Sequence, residues 1–194
     1  QFGLPAQAPD RRWLEDDRFP IFQTAWTTNG IRYTQKVLLT TLGTNDPSLA
    51  SPAHPESVIL VQITGLNTNA DYTSASAAFA LEVDGRPLDL ELREGLIYAS
   101  GNAEAAPLGA LDVPGEGITS ARGPRLKFQG NMPPGTSGSM TVKIPVAALK
   151  DAKALTRLQD LDFDEQFQRV KKAWKQSLQD PPQPSPFTWA ELEK

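Results

Sequence analysis

The sequence predicts a mainly β fold: an antiparallel β-sandwich with a short C-terminal helical pair. Three observations point there. Asn29-Gly30 sits between two alternating segments, and both residues favour the positive φ of a tight hairpin turn. Turn formers then recur about every 8–12 residues, the rhythm of a sandwich of short strands. From Pro145 onward the apolar period lengthens from that of a strand to that of a helix.

The chain has 194 residues, enough for one domain that folds without staples plus an appendage. It has no cysteine, which excludes disulfides, thiolate zinc sites and cysteine nucleophiles. The formal net charge is −4, from 23 acidic and 19 basic residues mixed along the chain. That mixture argues against a nucleic-acid partner, which needs a basic patch. No apolar run approaches the ~18–20 residues of a membrane span. A start at Gln1 suggests a processed or excised chain, whose signal peptide would already be gone.

Residues 1–18 are polar and broken by proline, and read as an arm anchored by Trp13. Residues 19–146 carry the sandwich. In the first hairpin Ile31, Tyr33, Gln35, Val37 and Leu39 alternate with Arg32, Thr34, Lys36, Leu38 and Thr40. Thr44 to Ser57 is a loop of turn formers. Val58 to Ile63 is almost wholly apolar, as suits a central strand covered on both faces. Asp84-Gly85 marks a second hairpin, followed by the alternating Leu88, Leu90 and Leu92. LIYAS, PLGALDV, PRLKFQG and SGSMTVKIPVAAL supply further strands.

Residues 147–180 read as a helical linker. A first helix is expected over roughly 147–159. Asp162 precedes Glu165 by three residues, a capping-box spacing that opens a second helix. Phe163, Phe167, Val170, Trp174 and Leu178 form one apolar stripe on it. Lys171, Lys172 and Lys175 sit late in this helix, where its dipole favours cations. Pro181-Pro182 ends it and begins a proline-rich tail, 181–194.

Catalytic signals are sparse. His54, between Pro52 and Pro55, reads as a solvated loop residue, with Ser51 and Ser57 nearby only in sequence. The carboxylate groups Glu15, Asp16 and Asp17, Glu82 and Asp84, and Asp89 and Glu91 could in principle serve glycoside hydrolysis. Each also reads as a solvated charge run or strand face. GTSGS at 135–139 precedes a strand and so lacks the helix N-terminus of a phosphate cradle. No catalytic residue, metal site or cofactor is assigned.

Aromatic residues carry the binding alternatives. A two-residue loop at Asn29-Gly30 pairs Trp26 directly with Tyr33. The pair is read either as core or interface packing or, with Trp13, as a platform on which sugar rings stack. Arg32 or Gln35 would then meet hydroxyls. On the second helix Phe167, Val170, Trp174 and Leu178 are the candidate domain-interface residues.

The hairpin FPIFQTAWTTNGIRYTQKVLLTT followed by LVQITGLN, Leu60 to Asn67, resembles the start of the galactose-mutarotase-like supersandwich of bacterial six-hairpin glycosidase-like proteins. The ending MTVKIPVAALKDAKALTRLQDLDFDEQFQRVKKAWKQSL resembles the last sandwich strand, a short helix and a linker helix with a late tryptophan. The resemblance covers roughly residues 19–178 through loose patterns. It implies a bacterial, secreted or periplasmic protein in which the sandwich packs on an (α/α)6-barrel catalytic domain of the same polypeptide. The catalytic acids would lie in that barrel, so none carries over to this chain. The expectation is a non-catalytic domain of a larger carbohydrate-active enzyme. The alternatives are an independent carbohydrate-binding module and a free-standing β-sandwich enzyme.

Overall fold

A computed structural model describes residues 9–43, 53–83, 85–101, 105–113, 118–122 and 124–179. The strands are β1 (Arg11–Glu15), β2 (Phe19–Thr28), β3 (Ile31–Thr41), β4 (Ser57–Asn67), β5 (Thr73–Phe79), β6 (Glu82–Val83), β7 (Arg86–Pro87), β8 (Leu90–Arg93), β9 (Leu96–Ala99), β10 (Gly109–Asp112), β11 (Ile118–Arg122), β12 (Arg125–Met132) and β13 (Ser137–Pro145). Two helices follow, α1 (Ala152–Asp160) and α2 (Phe163–Gln179). The large sheet has eight strands in the order β1-β2-β3-β4-β13-β10-β9-β8. A three-stranded sheet, β11-β12-β5, covers part of one face, and β6 and β7 form a small ladder of their own. Every ladder in both main sheets is antiparallel. The expected architecture, a sandwich with a C-terminal helical pair, is the one observed.

The central strand explains the layering. Successive side chains of a strand point to opposite faces. Val61 and Ile63 of β4 enter the core shared with the small sheet, alongside Tyr33, Met140 and Leu126. Val58 and Leu60 enter a second core with Ile21, Leu38, Leu158, Phe163 and Phe167, beneath the helices. The apolar run at 58–63 is therefore covered on both sides, as its composition predicts.

The first hairpin closes as expected, with Thr28 opposite Ile31 and Trp26 opposite Tyr33. Asn29 and Gly30 have φ of 51° and 70°. The turn is also tied from outside: Thr68 donates to the Gly30 carbonyl from its backbone N–H at 2.9 Å and from its hydroxyl at 2.7 Å. Asn69 Nδ2 donates to the Asn29 carbonyl at 3.2 Å. Asn67 organises this end of the molecule. It is buried, donates Nδ2 to the carbonyls of Asp71 and Met132, and accepts from the Asn69 N–H at Oδ1.

Three local expectations change. Residues 11–15 of the presumed arm form the edge strand β1, with Trp13 opposite Gln23. Their own alternation is weak, and the free edge of β2 supplies the ladder. The first helix starts at Ala152, not near 147, because Asp151 caps it by accepting from the Ala154 N–H at 3.1 Å. The last turn of α2 holds no cation, and Lys171 is instead paired across to β1. The Asp162 cap of α2 forms as predicted, accepting from the Glu165 N–H at 2.8 Å. In the second hairpin Gly85 takes φ of 74° between β6 and β7, whereas Asp84 lies outside the described residues, as does the 181–194 tail.

Three polar contacts seat the helices. Lys143, buried on β13, donates Nζ to the Gln159 carbonyl in the last turn of α1, where backbone acceptors lack helical partners. Burial lowers its pKa, while Asp112, Asp162 and Asp160 pull it back up. Thr40 on β3 donates to Gln166 Oε1 on α2 at 2.8 Å in a buried contact. Lys171 Nζ meets Glu15 at 2.8 Å and Asp16 at 3.0 Å.

Gly30→Ala is expected to cost about 1–2 kcal/mol, the penalty for an L side chain in the left-handed region. The added β-carbon would also displace the Asn69 side chain. The midpoint of urea unfolding measures this.

Candidate functional site

Trp26 and Tyr33 stack on each other, with ring centroids 5.2 Å apart and planes 14° apart. Their relative exposures are only 7% and 3%. Gly65 lies opposite Tyr33 on β4, where a β-carbon would press within 3.3 Å of the tyrosine ring. The Tyr33 hydroxyl accepts from the Ser76 N–H at 2.9 Å, which joins the large sheet to the small one. Burial raises its pKa, partly offset by that hydrogen bond. The sugar-platform expectation for this pair is therefore corrected: both rings are core, and sandwich closure has consumed their faces. Trp13 is half-buried on the edge strand β1, with the Arg11 guanidinium 5.0 Å from its ring. It is not brought together with the other two as a platform, because both of them lie inside the core. Among the described residues the exposed aromatics are Phe22, at 61%, Tyr72, at 73%, and Trp174 on α2. Sequence pattern concealed Phe22, since it occupies the same alternating face as buried Trp26.

The helix candidates separate into two groups. Phe167 and Val170 are buried with Phe163 against the domain's own sheet, so their assignment to an external interface is corrected. Phe163 and Phe167 lie 6.2 Å apart, and Lys36 Nζ sits 4.7 Å above the Phe167 ring. One and two turns further on, Trp174 and Leu178 are 39% and 51% exposed. Lys171, between the two groups, is held by the carboxylates at the β1 end, and hydrogen bonds to Glu15 and then Asp16 raise its pKa. Glu15 also accepts from Gln23 Nε2.

Two of the remaining polar candidates, His54 and Glu91, have local partners. His54 Nδ1 accepts from the Glu56 N–H at 3.3 Å, and its carbonyl accepts from the Ser57 N–H at 3.0 Å. Glu91 pairs with Arg93 at 2.7 Å; that hydrogen bond lowers the Glu91 pKa and raises that of Arg93. Among the described residues no group of three or more His, Asp or Glu converges as a metal site would require. Ser51 and Asp84 lie outside the described residues. GTSGS leads into β13 and not into a helix, as its sequence context predicts.

Sequence reasoning missed a groove of about 460 Å³ on the sandwich face of the large sheet. Its floor includes Val37, Leu39 and Ile59, and Phe22 stands at its side. The small sheet packs over β4, β13 and β8, and leaves this end of β1, β2 and β3 open. Arg12, Thr24 and Gln35 also line the groove. They are paired in register across three strands, Arg12 with Thr24 and Thr24 with Gln35. No protein-family model matches the chain, and no curated protein matches it. No helix among the described residues is long and apolar enough to cross a membrane.

Trp26→Ala is expected to destabilise the fold by about 3–5 kcal/mol, as for other large buried aromatics, measured by chemical denaturation. The Lys171 contact predicts a pH effect. A folded-state pKa raised above the ordinary lysine value of about 10.4 stabilises the fold fully below that value. The stabilisation is lost as pH climbs through the raised folded value. Lys171→Ala should therefore show a smaller fall in unfolding midpoint than the parent between neutral pH and pH values above the lysine range.

Proposed function

We propose that the chain is a non-catalytic β-sandwich domain of a larger carbohydrate-active, glycoside-hydrolase-like protein, secreted or periplasmic, that packs on and orients a helical catalytic domain of the same polypeptide. The observation that carries this reading is the divided stripe of α2. Phe163, Phe167 and Val170 are buried on the domain's own sheet, whereas Trp174 and Leu178 continue the same stripe into solvent. A helix whose apolar stripe outruns its own support presents the remainder to another surface. The ion-paired Glu15, Asp16 and Glu91 and the locally bonded His54 are in keeping with chemistry carried out elsewhere in the protein. The alternative of an independent sugar-binding module loses its main support with the burial of Trp26 and Tyr33.

The test uses the full product of the open reading frame. A helix-patterned region of several hundred residues downstream of Lys194 is expected. In that protein Trp174→Asp with Leu178→Asp should split one cooperative thermal transition into two. The same pair in the isolated domain should shift its stability by no more than about 0.5 kcal/mol, as for ordinary surface substitutions. A stop codon directly after Lys194, or a single transition unchanged by the double substitution, would sink the reading.

A further inference from the structure

The groove on the sandwich face points to a second role, independent of the helix. We propose that it is a binding site for a small single-chain amphiphile with an aliphatic body and an anionic head, of the monoacyl carboxylate class. The size argument comes first. A volume of about 460 Å³ falls within the roughly 300–1,000 Å³ of small-molecule sites. A stable protein interface engages about 20–30 residues a side, far more than line this groove.

The chemistry follows from the strand register. Phe22 and Val37 are directly paired across β2 and β3, and Leu39 is paired with Ile59 across β3 and β4. Together they form an apolar bed. The row beside it holds Arg12, Thr24 and Gln35. Among the described residues none of these three side chains has a hydrogen-bond or ion-pair partner. An amphiphile laid across the two rows covers the bed with its chain and sets its head on the Arg12 guanidinium, with Thr24 and Gln35 as further donors. A guanidinium favours a carboxylate because it can offer two parallel N–H donors. A sugar fits less well, since hydroxyls placed on Val37, Leu39 and Ile59 would lose hydrogen bonds to water without replacement.

Titration calorimetry of the whole chain with dodecanoate, kept below its micellar concentration, tests this, with dodecanol and a neutral oligosaccharide as the other arms. Saturable one-to-one binding of dodecanoate is expected. Arg12→Gln should weaken it by about tenfold, the loss of one charge-assisted contact, and leave dodecanol binding unchanged. Phe22→Asp, at an exposed position, should abolish both while preserving the urea midpoint. If Phe22→Asp folds poorly, the head-group selectivity lost in Arg12→Gln decides the matter. The proposal is overturned by the absence of saturable dodecanoate binding, by equal binding in Arg12→Gln, or by preference for the oligosaccharide. A concentration-dependent dimer in sedimentation that Phe22→Asp dissolves would overturn it too, by assigning the groove to a second copy of the chain.

Discussion

The two-sided burial of β4 is the constraint on which the rest of the molecule depends. A strand with apolar side chains on both faces needs a cover on each side, and two different covers supply it. The small sheet takes Val61 and Ile63, and the helical pair takes Val58 and Leu60. Neither cover is optional, because removing one would expose a largely apolar stretch of sheet, Val58 and Leu60 on one face or Val61 and Ile63 on the other, to water. The helices are therefore a layer of the domain and not an appendage.

Polar contacts fix how the helical layer sits. Lys143, Thr40 and Lys171 each reach from a strand or helix to a partner on the opposing element. Hydrophobic burial is non-directional and tolerates sliding, whereas a buried hydrogen bond is costly to leave unmade. Gln166 accepts from Thr40 across the interface and from Arg169 on its own helix, so rotation of α2 would separate Thr40 from Gln166 in the core. This fixed rotation places Phe167 and Val170 inward and directs the same stripe, at Trp174 and Leu178, past its support.

The two sheets differ in width, eight strands against three, and the mismatch creates the second open surface. On a single alternating face, Tyr33 is 3% exposed while Val37 and Leu39 remain half-buried. Residues identical in pattern thus divide into core and groove. The groove and the exposed end of α2 both lie at the boundaries of covers.

Much of the fold was legible from sequence. The Asn29-Gly30 turn, the Trp26–Tyr33 pairing, the buried strand at 58–63 and the Asp162 cap depend on neighbours within a few residues or on strict period, so the chain carries them locally. The edge strand β1 was not legible, because its pairing depends on a free edge elsewhere. Of the candidate site, the stripe on α2 was legible as a stripe, but not the point at which it leaves the sheet. The groove was invisible, since alternation assigns a residue to a face without saying how far the opposite sheet extends. The sequence by itself determined the strand and helix periods, the turns and the caps. Only the tertiary structure decided which apolar residues were covered, because coverage depends on the relative size and placement of layers contributed by distant parts of the chain.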